Sequence, residues 1–213
     1  LSESLGADIK QVSKVMGQDG RISPKFLHPG PGFGGSCFPK DTKAFVSFAK
    51  KNGQNIGTIE AAIKTNKAQK LRMVKKIKTL IGGNFKNKTI AILGLSFKPN
   101  TNDIRESPSI DMIENIKEGG GYVIAFDPVA NDSMKILFPD ITYKNSWEEA
   151  CQDADGVVIM TEWNEFRGIG IAHLKSILKE PILLDTRNIL DIKKLKNHGF
   201  IFDNVGHIEL NEY

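Results

Sequence analysis

Between Pro29 and Asp41 the chain reads PGPGFGGSCFPKD, and the residue types at this spacing suit a nucleophilic cysteine. Gly30, Gly32, Gly34 and Gly35 let the backbone turn and let a ligand approach where a β-carbon would block it. Pro39 suits the first position of a helix, where its missing N–H costs nothing. That helix is expected from about Asp41 to Lys50, stopping near Gly53. Cys37 then lies just outside a helix N-terminus, facing unpaired amides and the positive end of the dipole. Lys40 adds a full positive charge, and these are the surroundings in which a cysteine sulfur becomes a nucleophile. Asp41, in the first turn, either caps the helix or serves the chemistry as a carboxylate. A lone cysteine is otherwise a small buried hydrophobe, but four glycines before it and Pro-Lys-Asp after it make poor core.

Other elements must hold this loop. Upstream, Ile9, Val12, Val15 and Met16 recur on one face at helical spacing. From about 58 to 81, Ile59, Ala62, Ile63, Leu71, Val74, Ile77 and Leu80 mark a long helix, basic on its outer face and ended by Gly82-Gly83. Such a helix bridges two domains or packs against a second copy of itself. After Lys88 the pattern changes. TIAILGL is a buried strand, followed by a helix at 108–119, the strand YVIAFD and a helix at 146–152. The strand GVVIM, a helix at 172–179, the strand ILLD, a helix at 191–197 and short strands near Ile201 and Val205 complete the series. The fold class is therefore α/β: a helical segment over 1–81, then a Rossmann-like doubly wound parallel sheet over 82–213. The first strand turn, GLSFKPNTNDIRES, lacks the second and third glycines of a dinucleotide fingerprint. Lys98 and Arg105 put positive charge at the carboxyl end of that strand, as solvated surface or as a phosphate site.

Composition narrows the class. A chain of 213 residues, 40% hydrophobic and 25% charged, describes an ordinary globular protein of one domain plus an added segment. There is no apolar run fit for a bilayer and no signal-peptide pattern, so no membrane partner is expected. Two cysteines, Cys37 and Cys151, argue against a disulfide framework and fit a reducing cytoplasm. The net charge of +4 suits a phosphorylated small molecule, and no Lys/Arg run interleaved with aromatics points to nucleic acid. The opening LSESLGADIK lies within a helical pattern and lacks a methionine, the expectation for a fragment.

GFGGSCFPKD, followed by ILGLSFKPNTNDIRESPS, FDP, TEW and DTRN, resembles the UDP-glucose 6-dehydrogenase family over nearly the whole chain. The cysteine loop is specific to nucleotide-sugar dehydrogenases that make uronic acids, and RESPS leans towards the UDP-glucose branch. The resemblance implies the end of a central helical dimerisation region, followed by the C-terminal UDP-binding domain. It also implies that the NAD-binding domain, with an active-site lysine and asparagine, precedes Leu1, so that this chain alone is inactive. By the same likeness the activity is a two-step, NAD-dependent oxidation of UDP-glucose to UDP-glucuronate by a homodimer or larger assembly. Cys37 would form a thiohemiacetal and then a thioester, with Asp41 as the assisting carboxylate. Lys40 and Arg105 match cofactor-binding positions. Phe26, His28, Gly30, Phe33, Gly34, Phe97, Lys98 and Arg187 match positions around the UDP-sugar, with Asn188 leaving the last alignment open by one place. Arg21 matches an arginine that reaches a neighbouring subunit's substrate site.

Several of these residues have simpler roles available. Phe33 is a hydrophobic lid as much as a contact, Asp41 a helix-start carboxylate, and Arg21 a surface charge. Cys151 is expected on a helix facing the sheet, and Trp163 packing at a strand end in preference to stacking on a base. His173, His198 and His207 lack metal-ligand spacing with the cysteines, so no metal is assigned. Three alternatives stay open. The sugar is GDP-mannose or a UDP-N-acetylhexosamine, or the chain is a cysteine hydrolase using His28 as base, or it is a non-catalytic UDP-binding or dimerisation module.

Overall fold

The computed structural model describes residues 1–206. Four helices come first: α1 (Ser2–Leu5), α2 (Ile9–Met16), α3 (Phe38–Lys51) and α4 (Gly57–Leu80). β1 (Thr89–Leu93) opens an alternation through α5 (Pro108–Glu118), β2 (Tyr122–Phe126), α6 (Asn131–Leu137), β3 (Thr142–Tyr143) and α7 (Trp147–Cys151). It continues through β4 (Gly156–Ile159), α8 (Asn164–Arg167), α9 (Ile171–Ile177), β5 (Ile182–Asp185), α10 (Ile192–Asn197) and β6 (Ile201–Asn204).

The strands lie in the order β3-β2-β1-β4-β5-β6, and every pair is parallel. This is the doubly wound Rossmann order, with the crevice of the topological switch beyond the carboxyl ends of β1 and β4. β1 is apolar and buried from Ile90 onward because helices cover both faces of the sheet. Its side chains alternate between two cores. Ile90 and Ile92 join Val158 and Leu184 on one face; Ala91 and Leu93 join Val157, Ile159 and Leu183 on the other. The first core is closed by Met73, Val74 and Ile77 of α4, Met112, Ile113 and Ile116 of α5, and Met134 of α6. The second is closed by Trp147 and Cys151 of α7, Phe166 of α8, Leu174 of α9 and Leu195 of α10. The long basic helix is thus anchored: one face of its second half is core.

Boundaries differ from expectation in three places. α3 begins at Phe38, three residues early, so Pro39 takes the second helical position, another site where its missing N–H is harmless. Val205 is buried but forms no second strand after β6. The Asn188 side chain takes both its backbone groups, donating to the Val205 carbonyl at 2.7 Å and accepting its N–H at 3.1 Å. The short elements α6, β3 and α8 were not expected, being too brief to show a period. Trp163 packs in the second core at the end of β4, and Cys151 faces the sheet, both as expected. His207 lies outside the described residues. Among the described residues no helix is long and apolar enough to cross a membrane, and no cluster of potential metal ligands forms.

Candidate active site

Cys37 is the N-cap residue of α3, its side chain exposed, with Ser36 Oγ 3.6 Å from the sulfur. Lys40 and Asp41 follow in the first turn, both exposed, the ammonium 3.5 Å from the carboxylate. Helical spacing puts both on the turn beside Cys37.

The glycines before Cys37 are pressed against the loop between β1 and α5. A Cβ on Gly34 would stand 2.4 Å from the Glu106 carbonyl oxygen, and Gly35, at φ +90°, would drive one into the Phe97 ring. The Gly35 N–H donates to the Arg105 carbonyl at 2.7 Å. Only glycine permits this approach. Phe33 packs edge-on against Phe38, with ring centroids 4.8 Å apart. On the opposite side of the loop stands α4. Phe33 N–H donates to Asn66 Oδ1 at 2.7 Å, Asn66 Nδ2 donates to the Phe33 carbonyl at 3.0 Å, and Gln69 donates to the Gly30 carbonyl at 2.9 Å.

Charge gathers around this junction. Asp103 grips Arg105 at two points, Nε to Oδ1 at 2.9 Å and Nη2 to Oδ2 at 2.7 Å. That bond holds the Arg105 guanidinium above its usual range. Lys98 sits over the Phe97 ring, 5.3 Å from its centroid. Arg187 emerges from the end of β5 beneath the loop, its guanidinium 3.2 Å from where a Gly30 Cβ would be. Its Nε donates to the Met160 carbonyl at 2.7 Å and lies 3.0 Å from Glu162, while Nη2 donates to the Phe97 carbonyl at 3.3 Å. Burial draws the Arg187 guanidinium below its ordinary range, against the pull of Glu162 and Asp185. Asp185, whose carboxyl burial pushes up, shapes the turn by accepting from the N–H groups of Arg187, Ile189 and Leu190.

Gly30, Phe33, Gly34, Cys37, Phe97, Lys98, Arg105 and Arg187 therefore meet at one junction above the carboxyl end of the sheet. Arg21, Phe26 and His28 are exposed on the preceding segment, Arg21 paired with Asp19 at 2.7 Å, and no hydrogen bond joins their side chains to the junction. A cleft of about 440 Å³ lies between α3, α4 and α5. It is lined by Phe33, Pro39, Asn66 and Lys70 but not by Cys37, so the thiol opens elsewhere.

The turn after β1 is filled by the protein itself. Asp127 Oδ2, at the end of β2, accepts from the N–H groups of Leu95 and Ser96 at 2.7 and 3.1 Å, from Ser96 Oγ and from the Trp163 indole. Those amides are not free to cradle a pyrophosphate. The missing fingerprint glycines and this internal carboxylate are two signs of the same departure from a dinucleotide site.

Asn66, Gln69, Lys70, Glu106, Glu162 and Asp127 were not singled out from the sequence. One signal was present: Lys70 lies on the apolar stripe of Met73, Val74 and Ile77, where a lysine needs a buried partner.

Comparison with known proteins shows the family. Residues 91–192 match the profile of the UDP-glucose/GDP-mannose dehydrogenase family, UDP binding domain, and residues 1–68 match the central domain of the same family. The chain belongs to the UDP-glucose/GDP-mannose dehydrogenase family. Among curated relatives it is 43% identical to the UDP-glucose 6-dehydrogenase of Rickettsia bellii, over 97% of this chain and 48% of that protein. It is 40% identical to that of Rhizobium meliloti, over 97% of this chain and 47% of that protein. Among solved structures, a UDP-glucose dehydrogenase from Pyrobaculum islandicum superposes with a TM-score of 0.85 at 29% identity, covering 97% of this chain and 45% of that one. The chain spans about half the length of the curated relatives it matches.

Proposed function

We propose that this chain supplies the nucleophile and the UDP-sugar site of an NAD-dependent UDP-glucose 6-dehydrogenase. Residues 1–81 carry the cysteine loop and residues 82–213 hold the nucleotide sugar. The observation that carries the reading is the junction: an exposed Cys37 at the start of α3, on a loop pressed to Phe97 and lying over Arg187. The relatives' printed activity supplies the substrate class.

The chain's own residues divide the work. Arg187 and Lys98 offer positive charge to the UDP-sugar, while Gly30, Phe33 and Gly34 form the wall against which the sugar rests. Cys37 sulfur adds to the C6 aldehyde, holding it as a thiohemiacetal whose oxidation leaves a thioester for water to hydrolyse. Asp41, one turn along α3, accepts the proton from that water. NAD supplies the hydride acceptor for both oxidations. The turn after β1 does not fit NAD, since Asp127 occupies its amides. Exposed Lys40 and Arg105 beside Cys37 fit the cofactor's phosphates arriving from outside the sheet. Pairing of two copies along the exposed outer face of α4 completes the reading.

The test counts NADH formed per UDP-glucose consumed by the full-length polypeptide. About two per sugar, lost in Cys37→Ser, is the expected result for a covalent two-step oxidation. About one per sugar would mean that oxidation stops at the aldehyde. Turnover only with GDP-mannose or a UDP-N-acetylhexosamine would keep the chemistry and replace the substrate.

A further inference from the structure

One turn of α4 grips both walls of the junction. Asn66 reads the donor and the acceptor of a single residue, Phe33, four positions before Cys37. Gln69 holds the Gly30 carbonyl. Lys70, only 7% exposed, donates to the Glu106 carbonyl at 3.0 Å and pairs with Asp111 at 3.0 Å. The Glu106 carbonyl is the atom against which Gly34 packs. Glu106 itself turns through φ +53°, a conformation few side chains adopt unaided, and Lys43 of α3 holds its carboxylate at 2.7 Å. Asparagine is a weak helix former, and its place mid-helix is explained by what its side chain reaches. A carboxamide carries its acceptor and its donor on separate atoms, so it meets the N–H and the carbonyl of one residue at the same time.

We infer that Asn66 is a positioning residue for Cys37: its carboxamide fixes the Phe33 backbone, and with it the place of the sulfur over the sugar. The inference rests on the cysteine chemistry proposed above. Gln69 and Lys70 extend the same grip to Gly30 and to the opposite wall. The bonds of this clamp run to the backbone of the loop and of the opposite wall. Its effect belongs to the step that needs sulfur within bonding distance of the aldehyde carbon, where a displacement of about 1 Å costs about a hundredfold in rate.

Two variants of the full-length polypeptide test this. Asn66→Ala keeps the helix, since alanine is the better helix former, and removes both bonds. Asn66→Asp keeps the acceptor for Phe33 N–H but sets an oxygen against the Phe33 carbonyl. Amide exchange at Phe33, within residues 32–36, is expected to rise about tenfold in Asn66→Ala, the size of one lost hydrogen bond, and to change little in Asn66→Asp. Both variants are expected to form fewer than about two NADH per UDP-glucose and to release aldehyde that hydroxylamine traps. A role in stability alone would lower the melting temperature and leave that ratio intact. Wild-type ratios and rates in both variants would overturn the inference. If the wild-type protein oxidises no nucleotide sugar, the functional reading falls, and exchange decides the clamp: wild-type protection in Asn66→Ala would sink it, tenfold faster exchange would uphold it.

Discussion

The two cysteines sit in opposite surroundings. Cys37 is exposed on a loop end; Cys151 closes α7 inside the second core, where burial and the nearby Glu148 charge push its thiol well above the ordinary range. Iodoacetamide is therefore expected to label Cys37 in the folded protein and to reach Cys151 only in denaturant, with Cys37→Ser taking no native label. Peptide mass mapping checks this, and native labelling of Cys151 would contradict the packing. Cys37 and Gly34 stood out because their types carry chemistry or allow a close backbone approach, whereas Phe97 and Arg187 entered only through the family resemblance. Asn66 and Gln69 were not, because their partners lie 33 and 39 positions away and only folding brings them together. Asp127 was read within FDP but not as an acceptor for the amides of Leu95 and Ser96, since that bond appears only once β1 and β2 pair.

At the level of elements, α1 is docked by one carboxylate. Glu3 accepts from the Gly206 N–H at 2.8 Å, lies 3.1 Å from Lys76, and pairs with Arg72. Burial alone would raise its carboxyl, but the Gly206 N–H and the charges of Lys76 and Arg72 outweigh it, and the net shift is downward. A carboxyl held low in the folded state stabilises docking above its ordinary value of 4.5 and loses that contribution as pH falls through the lowered one. Pepsin cleavage before α3 should accelerate as pH drops from about 5 to 3, while Glu3→Gln should be cut readily at the upper end already. A wild-type rate flat across that range, once pepsin's own pH profile is divided out, would remove Glu3 as the latch. Continuous apolar runs such as TIAIL and ILLD announced buried strands. The two-residue β3 and the four-residue α8 have no period to read, and the end of β6 was settled by a side-chain amide rather than by strand preference.

For the whole molecule, α4 decides what can stand alone. Residues 82–213 by themselves would lose Met73, Val74, Ile77 and Ile81 from the first core. At about 1.5–3 kcal/mol for each buried side chain, the loss rivals the roughly 5–15 kcal/mol stability of a typical domain. A fragment of residues 82–213 is expected to bind the dye ANS and to unfold without a cooperative transition, while one of residues 57–213 unfolds sharply. A cooperative, dye-free 82–213 fragment would show that the sheet does not need the helix. The α/β class was legible from the alternation of patterns. The dual duty of α4 was not, because its apolar stripe looks alike whether it meets a sheet or another helix.

The same rod that clamps the cysteine loop through Asn66 and Gln69 is fastened, about 16 Å farther along at Ile77, into the centre of the sheet's first core. The reactive loop is therefore tied by side-chain bonds to the rod that closes the fold. Local loosening of that loop breaks the Asn66 and Gln69 bonds and spares the helix, whereas anything that unseats α4 takes the first core with it and removes chemistry and fold together.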